Sequence, residues 1–306
     1  MRFGALVLSA VVASGCATVV RGQANRQRRR VEHCGLQRTQ HSIDAGRLDV
    51  WSGGAGPPVV LLHGFGGDVT WQFTEVMCEL AEAHRVVAPN LLGFGESHAR
   101  RPADVTLNVQ SNAVAELLRT LDVPTAAVVG TSYGGLVAYQ LAVAQPELVS
   151  RLILVDTPGP LYSREELDAL QDRFGVASTE SLFVPSDAAG VERLLRLAYA
   201  DPPWTNRGIR RAVAAELYEP RRDDLKHLLR SLERELPDPS AAPRGVAMPA
   251  MVVWGAEDPV FDRDKGLALA ELLGAEWVVI DQAKHAPNLE HPAEFNAHVR
   301  RFVSAP

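Results

Sequence analysis

From about residue 40 onward, short apolar runs alternate with stretches of helical periodicity, and this rhythm restricts the fold more than any other feature. "PPVVLLHG" (57–64) is a continuous apolar run ending in glycine, the pattern of a strand buried on both faces. "RVVAPN" (85–90), "TAAVVG" (125–130) and "RLILVD" (151–156) repeat it, with helical spacing in "TEVMCELAEAH" (74–84) and "NAVAELLRTLD" (112–122) between them. "HSIDAGRLDVW" (41–51) predicts a hairpin, with Ala45-Gly46 supplying the turn. Strands separated by helices predict an α/β fold, a mostly parallel central sheet with helices on both faces. The rhythm stops after residue 158, where amphipathic helical stretches and proline-rich joints such as Asp201-Pro202-Pro203 run without a convincing strand to about 245. It resumes with "PAMVVWG" (249–255), "GLALAELLG" (266–274), "EWVVID" (276–281) and a last helix, "PAEFNAHVRRFV" (292–303). One domain is therefore expected over 41–306, with an all-helical lid inserted at about 158–245.

Open parallel sheets carry their active sites at the carboxyl ends of the strands. Four reactive segments follow strand-like runs: His63-Gly64-Phe65-Gly66, Ser132, Glu257-Asp258 and Lys284-His285. Ser132 lies in "GTSYG" (130–134), between two glycines at a strand-to-helix junction. Gly-x-Ser-x-Gly alone arises by chance in roughly one chain in ten at average usage. A serine hydroxyl is also a poor nucleophile. It needs a base within hydrogen-bond reach, an acid to orient that base, and N–H donors for the oxyanion that develops. The order Ser…Asp…His supplies all of these.

Here the chain resembles the α/β-hydrolase superfamily over about residues 40–304. "VVLLHGFGG" is similar to the family's oxyanion-loop strand, "PNLLGFGES" to its Gly-x-Gly-x-Ser turn, "WGAEDPVF" to its acid loop and "KHAPNLEHPAEF" to its histidine segment. Asn90 stands where the family often has aspartate, and Lys284 where it often has glycine. The resemblance implies Ser132 as nucleophile, His285 as general base and then acid, and Asp258 as the orienting carboxylate. It also implies the backbone N–H groups of Phe65 and Tyr133 as the oxyanion hole. Asp156 is the rival acid, His63 fits the oxyanion loop, and Glu290 and Asp68 read as structural.

No dinucleotide fingerprint, P-loop or metal-spaced cluster occurs, so no cofactor and no metal are expected. A formal charge of −6 speaks against nucleic acid as a partner. A serine rather than an aspartate at the turn points to attack on a carbonyl. The inserted segment holds 13 Lys/Arg against 15 Asp/Glu over 158–247, which favours no highly charged substrate. Tyr162, Phe174, Phe183, Tyr199, Trp204 and Tyr218 are candidates to line an apolar cleft. The expected activity is hydrolysis of carboxylic esters with a small or medium apolar acyl group. The alternatives are a carbon–carbon (diketone-type) hydrolase using the same triad, or a tethered, non-catalytic binding protein.

The first residues, "MRFGALVLSAVVASGCATVV", read as a signal peptide over 1–15. Ala13-Ser14-Gly15-Cys16 resembles the lipobox of bacterial lipoproteins, which implies Cys16 as the lipid-attachment residue and residues 16–40 as a solvated tether. The expectation is an exported, membrane-anchored lipoprotein at the periplasmic face or outer membrane, with an uncleaved N-terminal anchor as the alternative. Arg21, Arg26, Arg28, Arg29 and Arg30 follow the apolar run, a charge balance that opposes export. Cys34 and Cys78 are free to pair in an oxidising compartment or to remain thiols.

Overall fold

The computed structural model of the protein describes residues 3–236 and 243–305, and side chains from residue 15 onward. Helix α1 (Phe3–His33) precedes a hairpin of β1 (Leu36–Ile43) and β2 (Gly46–Gly53). Then come β3 (Pro58–Leu62), α2 (Val69–Ala81), β4 (Arg85–Pro89), the short β5 (His98–Ala99) and α3 (Leu107–Thr120). Next follow β6 (Ala126–Thr131), α4 (Tyr133–Ala144) and β7 (Val149–Val155). The inserted segment contains α5 (Arg164–Phe174), α6 (Thr179–Phe183), α7 (Ala188–Ala198), α8 (Arg207–Val213) and α9 (Arg222–Arg234). The chain closes with β8 (Ala250–Gly255), α10 (Arg263–Leu273), β9 (Glu276–Ile280), α11 (Pro287–Glu290) and α12 (Pro292–Val303).

The strands form one sheet in the order β1-β2-β4-β3-β6-β7-β8-β9, with β5 beside β2. Pairing is parallel from β4 through β9 and antiparallel at the β1–β2–β4 edge. Successive strand side chains point to opposite faces, so a wholly apolar strand feeds two cores. In β3, Val59 and Leu61 join Phe73 and Met77 of α2 and Phe295 of α12 on one face. Val60 and Leu62 join Leu117 and Leu118 of α3 and Val137 of α4 on the other. Complete burial of each such side chain is worth roughly 1.5–3 kcal/mol. The α/β architecture is therefore dictated by the unbroken apolarity of these strands.

Local signals set the helix ends that position the site. Asp68 caps α2 by accepting from the N–H groups of Thr70 and Trp71 at 2.9 and 3.2 Å. In the inserted segment, Ser163 and Glu166 form a reciprocal capping box at the start of α5, and Gly175 ends that helix in the left-handed conformation.

The N-terminal region differs from expectation. Residues 16–33 belong to α1 rather than to a solvated tether, and β1 begins at Leu36 instead of 41. The reason is burial along one side of this basic helix: Val20 and Val31 are buried, and α1 packs on α2 and α8. The arginines that speak for solvent in the sequence find acids instead, Arg21 with Glu216 at 3.0 Å and Arg30 with Glu75. Cys34 and Cys78 form a disulfide (S–S 1.99 Å) that fastens the end of α1 to α2. Met1 and Arg2 lie outside the described residues, as do the side chains of 3–14 that bear on the signal-peptide reading. Residues 237–242, within the expected lid boundary, lie outside them too. Among the described residues no helix is long and apolar enough to cross a membrane.

Candidate active site

The turn from β6 into α4 forces Ser132 into φ 51°, ψ −117°. A non-glycine residue there carries strain of about 1–3 kcal/mol, held in place only by its surroundings. The neighbouring backbone explains the flanking glycines. A Cβ on Gly134 would sit 2.1 Å from the carbonyl oxygen of Leu62, and one on Gly130 would sit 2.4 Å from that of Gly134. The Ser132 N–H donates to the Val155 carbonyl at 2.8 Å, tying the turn to β7.

The structure brings Ser132, His285 and Asp258 together from three strand ends. His285 Nε2 lies 2.9 Å from Ser132 Oγ, and His285 Nδ1 lies 2.9 Å from Asp258 Oδ2. Asp258 Oδ1 accepts from the Val260 N–H at 2.8 Å, so both carboxylate oxygens are engaged and the side chain is fully buried. A carboxylate accepting from Nδ1–H leaves Nε2 as the basic nitrogen facing the serine. The acid loop and histidine loop hold each other through the Glu257 N–H and Ala283 carbonyl, 2.8 Å apart. Phe261 packs against the imidazole with ring centres 5.7 Å apart.

Asp156, the rival acid, does not contact His285 by hydrogen bond. Its Oδ1 accepts from the Gly255 N–H at 2.8 Å, at the root of the acid loop, and its Oδ2 is buried without a partner among the described residues. Burial first, then the charges of Asp258 and Glu290, pushes its pKa well above the usual carboxylate range. Asp156, Asp258 and His285 lie close enough together for their ligating atoms to fall within 4.8 Å, but the imidazole and both Asp258 oxygens are already committed to hydrogen bonds.

Tyr133 is the first residue of α4, where leading N–H groups have no partner within the helix. Phe65 lies in the loop after β3, and its ring packs edge-on against Tyr133 and Phe94. His63 is wholly buried beneath this loop: Nδ1 donates to the Gly64 carbonyl at 2.8 Å and Nε2 accepts from the Leu91 N–H at 3.0 Å. Burial pushes its pKa down, consistent with a neutral structural imidazole. Glu290 bridges the Lys284 N–H (2.7 Å) and the Ala200 N–H (2.6 Å), joining the histidine loop to the inserted helices.

Gln72 of α2 is a site residue that sequence reasoning missed. Its Oε1 accepts from the Gly64 N–H at 2.8 Å, while Nε2 donates to the carbonyls of Gly64 (3.0 Å) and Gly66 (3.2 Å). Its own carbonyl accepts from Asn288 Nδ2 at 2.7 Å, next to the histidine segment. A glutamine inside a helix carries no motif, and its partners here are backbone atoms, so no spacing reveals it. Gln72 is a positioning residue for the loop bearing Phe65. Gln72→Leu is expected to lower kcat by about tenfold or more with KM little changed, because the resemblance assigns the Phe65 N–H to the oxyanion, and misplacing that donor weakens transition-state rather than ground-state binding. Steady-state kinetics on one ester check it.

Above Ser132 opens a cleft with an empty volume of about 520 Å³, walled by Phe65, Tyr133 and Leu136 from the core and by α5, α6 and α9. Of the six aromatics singled out in the inserted segment, Tyr162 and Phe183 line it. Phe174 packs beside the small cluster of Leu170, Leu182 and Val260, while Trp204 is 82% exposed.

A strand-ended Ser–His–Asp line on a mostly parallel sheet defines a class, and the comparisons agree with it. A sequence model for the alpha/beta hydrolase fold matches residues 57–292. The chain is 31% identical to a 2-hydroxymuconate semialdehyde hydrolase of Pseudomonas sp. (strain CF600), over 84% of this chain and 90% of the relative. It is 24% identical to Lipase 3 of Moraxella sp. (strain TA144), over 94% of this chain and 93% of the relative. The crystal structure of a bacterial membrane phospholipase A superposes with a TM-score of 0.79 at 25% identity, covering 97% of this chain and 96% of that one. The protein belongs to the α/β-hydrolase family and is a hydrolase of that fold.

Proposed function

We propose that the protein hydrolyses carboxylic esters of small or medium, largely apolar acyl groups through an acyl-enzyme. The observation that carries this reading is the unbroken hydrogen-bonded line Ser132–His285–Asp258 opening onto an apolar cleft. Ser132 Oγ attacks the ester carbonyl carbon while its proton passes to His285 Nε2, and the carbonyl oxygen becomes an oxyanion at the N–H groups of Phe65 and Tyr133. Collapse breaks the bond to the alkoxy oxygen, which takes the proton from His285 and leaves as alcohol. Water, deprotonated by His285, then attacks the acyl carbon and releases the acid, returning the proton to Ser132. Asp258 stabilises the imidazolium in both halves.

Carbon–carbon hydrolysis is the second reading, favoured by the identity to the semialdehyde hydrolase. The cleft lining speaks against it, since among the described residues it includes Glu233 and no Lys, Arg or His to meet an anionic diketone acid. A panel of p-nitrophenyl esters against a 2-hydroxy-6-oxodienoate decides between the two. Ester turnover at least tenfold above diketone cleavage supports the ester reading, and the reverse order overturns it.

The membrane attachment is part of the same proposal, supported by the apolar N-terminal run and the Ala13-Ser14-Gly15-Cys16 stretch. Intact-mass analysis of the membrane fraction is expected to show a chain beginning at a diacylated or triacylated Cys16, since one acyl chain alone binds only marginally. A cytosolic chain that retains Met1 contradicts it.

A further inference from the structure

The cleft beside Ser132 has one feature that ester hydrolysis does not call for. On the side formed by the inserted helices, its otherwise apolar lining includes Thr179 and Glu233. Thr179 is buried at the start of α6, and its hydroxyl donates to Glu233 Oε1. Glu233 sits near the end of α9 and is half-buried, so Oε2, which has no hydrogen-bond partner among the described residues, keeps access to water. Arg164 donates to the Glu233 backbone carbonyl at 3.0 Å, Arg230 pairs with Glu180 and Lys265 pairs with Glu166. Tyr162, in the same lining, has its phenol pushed up by burial first and then by Glu166 and Glu233, so it stays protonated beside the carboxylate.

An ionised carboxylate is acceptor-only, and Thr179 satisfies one of its oxygens. Hydrocarbon packed against the other oxygen would strip its water and return no hydrogen bond. A ligand hydroxyl would restore that bond, whereas a ligand carboxylate would meet like charge in an apolar wall. An ammonium would gain attraction but lose more hydration in a lining that is otherwise hydrocarbon and aromatic.

We propose that Glu233, oriented by Thr179, sets the acyl selectivity of this site, admitting chains that carry a hydroxyl and rejecting chains that end in a carboxylate. The inference rests on the ester-hydrolase reading of Ser132. It narrows the substrate class to esters of hydroxylated, otherwise apolar acids. Glu233 and Thr179 are specificity-determining residues, remote from the reacting atoms.

The test compares p-nitrophenyl esters of 6-hydroxyhexanoic, 8-hydroxyoctanoic and 10-hydroxydecanoic acids. Each is set against the alkyl ester one carbon longer, which replaces hydroxyl by methyl, and against the matching ω-carboxy and ω-ammonio esters. At least one hydroxy ester is expected to exceed its alkyl isostere in kcat/KM by about tenfold or more, because the alkyl chain displaces water from Glu233 Oε2 without replacing its hydrogen bond. The ω-carboxy ester is expected to be the poorest of its set. Glu233→Gln keeps an acceptor oxygen, so it should retain the hydroxyl preference and lose the discrimination against carboxylate. Glu233→Leu should lose both and turn over the alkyl ester faster than the parent does. A purely structural role for Glu233 would lower all the esters alike.

Binding of the corresponding methyl esters to the Ser132→Ala variant, by calorimetry, gives the same ratios without turnover. Failure of ester hydrolysis and failure of this selectivity are thereby read separately. The inference is overturned if no hydroxy ester surpasses its isostere in either assay, if an ω-ammonio ester surpasses it, or if Glu233→Leu leaves the ratios unchanged.

Discussion

Asp258→Asn is expected to lose about 10⁴-fold in kcat, the size seen when a serine-hydrolase acid becomes an amide and favours the wrong histidine tautomer. Asp156→Asn is expected to lose no more than about tenfold, because its contact is with backbone rather than with the base. The difference follows from the hydrogen bonds. Asp258 Oδ2 lies 2.9 Å from His285 Nδ1, and its other oxygen is held by the Val260 N–H. Asp156 Oδ1 instead accepts the Gly255 N–H, a bond that the asparagine carbonyl can also accept. A second readout separates the two acids. The folded-state pKa of Asp156 is raised above the ordinary 3.8, so its protonated form supports stability fully below that value and loses this contribution as pH rises toward the folded pKa. Asparagine does not titrate, so the thermal midpoint of Asp156→Asn should gain on the parent as pH is raised above about 4. Activity surviving in Asp258→Asn and lost in Asp156→Asn would transfer the role of acid to Asp156.

Much of this arrangement is legible in the sequence, for physical reasons that differ from element to element. The strands under the site are continuous apolar runs because both faces are covered, and such runs stand out without any tertiary knowledge. The turn at Ser132 is legible because only glycine fits where Gly130 and Gly134 approach neighbouring backbone. The N-terminal region is not legible in this way. Its arginines read as solvated, yet α1 is held by two buried valines, by ion pairs to distant acids and by the Cys34–Cys78 bond. None of those partners is near in sequence. Gln72 and Glu233 share this obscurity: one acts on the backbone of a loop eight residues back, and the other matters only because α9 folds over the cleft. Asp258 is the acid that the resemblance assigns, and Asp156 is its rival because both follow strand-like runs.

The second large effect concerns Ser132 itself. Ser132→Ala removes the hydroxyl proposed as nucleophile while the flanking glycines and the Val155 contact of its N–H remain, so the variant should fold and lose at least about 10⁴-fold in kcat. The most direct measurement is intact-mass and peptide mapping after exposure to a fluorophosphonate. Ser132 Oγ attacks phosphorus, fluoride departs, and His285 takes the hydroxyl proton. A single adduct of the probe minus HF is expected on the peptide containing Ser132, absent in Ser132→Ala and strongly slowed in Asp258→Asn. An adduct on another residue, or undiminished labelling of folded Ser132→Ala, would contradict it.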